Sequence, residues 1–294
     1  MSSTQQNPAA LISADELAAR LGEPNLVVVD CRFNLLQPHA GRRSWADGHI
    51  PGAFYADLDQ DLADPVSPES GRHPLPSAAR LARLFGSWGM TAHSEVVAYD
   101  DSGGAIAARL WWLLRWSGHA VVRLLDGGYS AWLAADLPVE VREPDLLAGD
   151  YAIRTGQWPV VTTAEIERRL GDEAFTLLDA RDTRRFAGRT EPIDAKAGHI
   201  PGARNWPFSN NLAADGSFRA GPELAESFRA LLGTAPGGQV AVMCGSGVTA
   251  CHTLLAMELA GLFPDPRNKP ALYCGSWSEW IRSDERPMAT GKAD

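Results

Sequence analysis

The chain has 294 residues, 45% of them hydrophobic, and a formal net charge of -9, enough apolar mass for one large or two medium domains, of which two is the expectation. Lys and Arg are scattered, so neither nucleic acid nor an anionic membrane face is an expected partner. The amino terminus, "MSSTQQNPAALISADELAARLG", has no basic stretch before an apolar one, and no apolar run nears the roughly 20 residues of a membrane helix, so a soluble, cytoplasmic protein is expected.

In chain order, a β-branched strand at 26–30 opens "LVVVDCR", with Asp30 and Arg32 at its end, and "GHIPGA" follows at 48–53. Strands near 96–99 and 121–125 enclose a glycine turn and a helix, "VVAYDDSGGAIAARLWWLL", and "DGGYSAW" closes the series. The series then recurs: "FTLLDAR" with a strand at 175–179 and with Asp179 and Arg181, "GHIPGA" at 198–203, "VAVMCGSGVTACHTLLAM" with a strand near 239–243, and "CGSWSEW". A long exact repeat inside matching patterns marks a duplication. Short β-branched runs alternating with helical ones predict α/β architecture, each copy a central parallel β-sheet flanked by helices. The stretch 137–159 lacks periodicity and carries Pro and Gly, which predicts a linker.

Features present in both halves belong to the shared architecture. Asp30 with Arg32 and Asp179 with Arg181 are expected to tie a loop at a strand end, and "HIPGA", including His199, is expected to form a turn. The thiol Cys244 has no twin: aligning Gly104 with Gly247 sets Asp101 opposite it.

The four cysteines form no disulfide framework and no Cys-x-x-Cys pair, and no ligand cluster has metal spacing, so neither metal nor cofactor is implied. Cys244 sits where a strand hands over to a helix. Its loop, "CGSGVT", has two glycines that can adopt positive φ, so that N–H groups from Gly245 to Thr249 (through Ser246, Gly247 and Val248) can curl into an anion nest. The dipole of the helix from Val248 onward adds to them and favours a thiolate. Ser246 is expected to steady a leaving group or relay a proton, and Thr249 to cap the helix start. Cys251 falls on one helical face with Val248, Leu255 and Leu259 and reads as packing, Cys31 reads as structural, and Cys274 remains a second candidate thiol. Cysteine phosphatases place an arginine six positions after the thiol, where this chain has Ala250. Without that clamp, the tighter loop suits a single sulfur atom carried as a persulfide.

These residues resemble the rhodanese family of sulfurtransferases in its tandem form. The resemblance runs from about Ile12 to Met288 and rests on both "GHIPGA" strings, "DAR", "CGSGVT", "GRHPLP" at 71–76 and "GSWSEW". It implies two rhodanese-like domains: an inactive one at 9–138, a linker at 139–160 and a catalytic one at 161–290. It also implies a sulfurtransferase that takes sulfur from a small anionic donor onto Cys244. The sulfur then passes to a thiol acceptor such as thioredoxin, to a low-molecular-weight thiol or to cyanide. "CGSGVT" looks like the loop of the 3-mercaptopyruvate enzymes, whereas thiosulfate enzymes carry basic residues where this chain has Gly245 and Ser246. The mercaptopyruvate pattern includes two arginines. Arg185 matches the first, although it also reads as a surface helix arginine, with Arg42 and Arg43 as first-half counterparts of Arg184 and Arg185. At the second stand Ala195 and Lys196, with Lys196 or Arg189 as substitutes. His49 is the expected partner of Ser246 in a His-Ser relay, and the segment from Ala187 to Ala197 is expected to line the cleft. Thiosulfate as donor, and a low-turnover persulfide carrier or redox-sensing module, stand as alternatives.

Overall fold

A computed structural model describes residues 10–147 and 149–291 of the chain. Its contacts divide it into two units. The first runs up to Asp61 and resumes over Ser77–Gln157; the second joins Leu62–Pro76 to the chain from Trp158 onward.

The first unit holds strands β1 (Leu11–Ile12), β2 (Leu26–Asp30), β3 (Phe54–Tyr55), β4 (Glu95–Tyr99) and β5 (Val122–Leu125), all parallel, in the order β1-β5-β4-β2-β3. The second repeats it with β6 (Val160–Val161), β7 (Thr176–Asp179), β8 (Arg204–Asn205), β9 (Val240–Met243) and β10 (Ala271–Tyr273), in the order β6-β10-β9-β7-β8. Central strands are buried on both faces, which is why β2, β4, β7 and β9 are continuous apolar runs without alternation. The edge strands β1, β3, β6 and β8 are two residues long, too short to leave a period in the sequence.

Cores form where each sheet meets its helices, with Val97, Tyr99 and Trp132 in the first unit and Phe186, Met243 and Trp277 in the second. The stretch 139–160 carries several bonds to the first unit: Glu140 pairs with His49, the Leu147 N–H donates to Ser87 O at 2.8 Å, and the Tyr151 N–H to Ala82 O at 2.9 Å.

The twinned strand-end pairs behave as architecture in both halves. Arg32 donates to Asp30 and to Gly48 O at 2.7 Å, and Arg181 to Asp179 and to Gly198 O at 2.7 Å, so each arginine ties its strand end to the glycine of "GHIPGA". His49 and His199 repeat each other too, since Nδ1 of each lies within 2.8 Å of a backbone oxygen, that of Trp45 and Phe186 respectively.

Candidate active site

Strand β9 delivers Cys244 to the carboxyl edge of the second sheet, one residue past Met243, and the helix Thr249–Leu259 starts five residues later. The Cys244 carbonyl accepts from the Trp277 N–H at 3.1 Å and the Gly245 carbonyl from the Ser278 N–H at 2.8 Å. Because C=O and N–H oppose each other across a planar trans peptide, these bonds turn the N–H groups of Gly245 and Ser246 away from the helix Ser276–Trp280. The Cys244 N–H is held by Ser276 Oγ at 3.1 Å, and that hydroxyl donates onward to Tyr273 O at 2.8 Å.

Of the two loop glycines, Gly247 has the positive φ of 76°. A side chain there would also strike the Cys274 backbone, whose oxygen stands 2.5 Å from the Cβ position. Gly245 lies beside two arginines. A Cβ on it would lie 3.2 Å from Arg72 Nη2 and 3.6 and 3.7 Å from Arg185 Nη2 and Nη1, so two guanidiniums border this residue. Cys244 is therefore 2% exposed beside charged groups rather than hydrocarbon alone.

The expected helix cap is corrected. Thr249 is the first residue of the helix, Val248 takes the cap position, and no side chain bonds there. The histidine on Ser246 is also a different one: His73 Nδ1 stands 2.7 Å from Ser246 Oγ, both groups being buried. His49 lies in the first unit, with Nδ1 against Trp45 O and Nε2 3.2 Å from Arg142 O. His73 and Arg72 both come from "GRHPLP", which the second unit gathers from between β3 and the helix Ala78–Ser87. The motif was visible in the sequence, but its position in the first half hid which thiol it serves.

Arg185 is no surface arginine. Its side chain is 15% exposed, its Nε and Nη2 bond to Glu191 at 3.0 and 2.8 Å, and Nη2 reaches Asp194 at 2.9 Å, both carboxylates being buried. The equivalence of Trp45 with Phe186, each carrying the histidine of its own repeat, sets Ser44 opposite Arg185, while Arg42 pairs with exposed Glu143 at 3.4 Å and lies over the Trp45 ring. Burial works to raise the Glu191 carboxyl, but the bonds from Arg185 and from the Ile193 and Asp194 N–H groups outweigh it and hold it below its ordinary value. Asp194 also accepts from Arg72 Nη1 at 2.5 Å. A continuous chain of charge thus runs from Asp179 through Arg181, Glu191, Arg185 and Asp194 to Arg72. The segment 187–197 supplies both acidic links. Lys196 points to exposed Asp284 at 2.6 Å, and Arg189 is exposed.

The other thiols divide as follows. Cys251 Sγ donates to Gly247 O at 3.3 Å inside its helix. Cys31 is fully buried, and burial pushes its thiol well above its ordinary range, so it stays protonated. Cys274 Sγ lies 3.5 Å from His73 O.

The register corrects the twin of Cys244. Asp30 pairs with Tyr99 and Asp179 with Met243, so Asp100, not Asp101, occupies the equivalent place. The first loop reaches its helix at Ala107, two residues later than the second, and this longer turn shifts any alignment anchored on glycines.

With this geometry in view, comparison with known proteins defines the class. The rhodanese-like domain matches the chain twice, at residues 13–135 and 162–283, and the chain belongs to that family. It is 50% identical to a Pseudomonas aeruginosa protein named "Probable 3-mercaptopyruvate sulfurtransferase", over 96% of this chain and 99% of the relative. It is 33% identical to a thiosulfate sulfurtransferase of the same organism, over 95% and 96%. The solved structure of 3-mercaptopyruvate sulfurtransferase from Leishmania major matches with a TM-score of 0.79 and 33% identity, covering 94% of this chain and 75% of that one.

Proposed function

We propose that this chain is a sulfurtransferase that moves the sulfur of 3-mercaptopyruvate to a thiol or cyanide through a persulfide on Cys244. The observation that carries this reading is a loop thiol at a strand end, next to N–H groups turned away from the helix Ser276–Trp280, a Ser-His pair and two arginines beside Gly245. The Cys244 thiolate attacks the donor's sulfur and breaks its bond to carbon; the electrons leave on pyruvate enolate, which takes a proton through the Ser246 hydroxyl in contact with His73. The Cys244 persulfide that remains is stabilised by the N–H groups of Gly245 to Thr249, including those of Gly247 and Val248. The acceptor thiolate, on thioredoxin or a small thiol, attacks the outer sulfur and restores Cys244. Arg185 faces the donor. Catalysis falls to the half at 161–290 together with Arg72 and His73 of the segment 62–76, and the half that lacks a loop thiol is inactive. The proposed setting is the cytoplasm; among the described residues no helix is long and apolar enough to cross a membrane.

Intact-mass measurement after exposure to 3-mercaptopyruvate tests this directly: a gain of about 32 Da, one sulfur, is expected on Cys244 and not in Cys244→Ser. An unmodified wild-type protein would sink the reading. Thiosulfate is the second donor, favoured by the 33% identity to a thiosulfate enzyme, and the ratio of kcat/KM for the two donors decides between them.

A further inference from the structure

The second sheet sets another thiol beside Cys244. Ala271 and Leu272 of β10 pair with Ala241 and Val242 of β9, so one step past the strand ends Cys274 stands opposite Cys244. In the first unit the same count from the pair of Ala98 with Leu124 sets Asp126 opposite Asp100, so the second copy carries a thiol at both places where the first carries a carboxylate. Ala241, Met243, Ala271 and Tyr273 share one core, so alternation directs Cys244 and Cys274 together to the other face. Neighbouring strands run about 4.8 Å apart, and a disulfide spans Cα atoms roughly 4.4 to 6.8 Å apart. Between the two cysteines a hydroxyl replaces one ladder bond: Ser276 Oγ takes the Cys244 N–H at 3.1 Å and donates to Tyr273 O at 2.8 Å. Such a bridge adds about 2 Å, which sets the pair, both reduced, near the upper end of that range. The loop folds back over this second thiol, since a Cβ on Gly247 would stand 2.9 Å from Cys274 Cα. Both Cys274 and Ser246 meet His73, the thiol at its carbonyl oxygen at 3.5 Å and the hydroxyl at Nδ1 at 2.7 Å.

We propose that Cys274 is a resolving thiol for Cys244, through which the loaded protein releases its sulfur as hydrogen sulfide and closes a disulfide between the ends of β9 and β10. The inference rests on the persulfide reading of Cys244. The Cys274 thiolate attacks Cys244 Sγ, the inner sulfur of the persulfide, because side chains of equal length in matched register meet Sγ to Sγ. The bond from Cys244 Sγ to the outer sulfur breaks, its electron pair leaves on that sulfur as hydrosulfide, and the proton given up by Cys274 completes hydrogen sulfide. The outer sulfur is reduced and the two thiols are oxidised, so no further oxidant enters. An external dithiol then attacks the disulfide, is itself oxidised and restores both cysteines. Without such a dithiol each chain empties once and stops.

The full chain, loaded with 3-mercaptopyruvate under nitrogen, freed of donor and kept without cyanide or thiol, tests this by intact mass and sulfide release. Wild type is expected to pass from about 32 Da above the reduced mass to about 2 Da below it while releasing about one sulfide per chain, and unreduced peptide mapping finds Cys244 joined to Cys274. Cys274→Ser, which keeps the size without the nucleophile, holds the loaded mass about tenfold longer or more, whereas Cys251→Ser loses it as wild type does. If Cys274→Ser fails to load, the wild-type peptide map decides. A loaded mass that lasts as long in wild type as in Cys274→Ser overturns the proposal. So does a bond from Cys244 to Cys251 or to a second chain, or the sulfur recovered on Cys274. Wild type that shows neither the added mass nor the disulfide sinks the persulfide reading instead.

Discussion

The two strand-to-helix turns, at Asp100 and at Cys244, started as copies and now hold opposite contents. Asp100 fills its own turn: its carboxyl accepts from the N–H groups of Ser102, Gly104, Ile106 and Ala107, each at 2.8 Å. Burial raises that carboxyl, and the four donors work against it. Cys244 has a shorter side chain, and the N–H groups of Gly245 and Ser246 that follow it turn away from the helix Ser276–Trp280. The first turn shows that main-chain donors at this place can hold an acidic group. A built-in carboxylate makes the first turn a structural joint, whereas on the proposed reading the thiol of the second leaves room for a transferable atom.

The comparison can be broken in several ways. Cys244→Ser should lower turnover by about 10⁴-fold or more, and adding Asp100→Cys should restore neither turnover nor the persulfide mass, because the first half has no counterpart of the segment 187–197 that seats Arg185. If the double variant loads sulfur, the turn alone suffices. Ser246→Ala and His73→Gln should each lower kcat by about 10²-fold, and together little more than either alone, since one proton path serves both; additive losses in a rapid-quench assay would separate them. Asp100→Ala strips four buried N–H groups of their acceptor and should cost about 3 kcal/mol in urea unfolding followed by tryptophan fluorescence, with sulfur loading retained at low denaturant.

The smallest effect concerns acid. The Glu191 carboxyl lies below its ordinary 4.5 in the folded chain, so its contribution is complete above that pH and is lost as pH falls through the folded value. Wild type should exceed Glu191→Gln by about 1 kcal/mol at neutral pH and converge with it in acid, as read from urea midpoints across pH. A constant gap would remove Glu191 as the titrating group.

The parallel α/β architecture of each half and the place of Cys244 at a strand-to-helix turn were legible in the sequence because both follow from local signals, apolar runs for β2, β4, β7 and β9 and glycines around Cys244. Asp100 was misread by one position because the first turn is longer and its glycines gave a false anchor. His73 and Arg72 were missed as partners of the loop because sequence separation from Ser246 and Gly245 says nothing about which sheet a loop docks on. Ser276, which holds the Cys244 N–H with a positive φ of 54°, left no signal, since serine rarely adopts that conformation.

The excursion Leu62–Pro76 has one more consequence. A chain severed between Gln157 and Trp158 would leave the thiol-bearing fragment without the imidazole on Ser246 and the guanidinium over Gly245. The ancestral duplicates are therefore no longer separable: whatever selection retains the half with Cys244 must also retain the first, as the carrier of a borrowed strap.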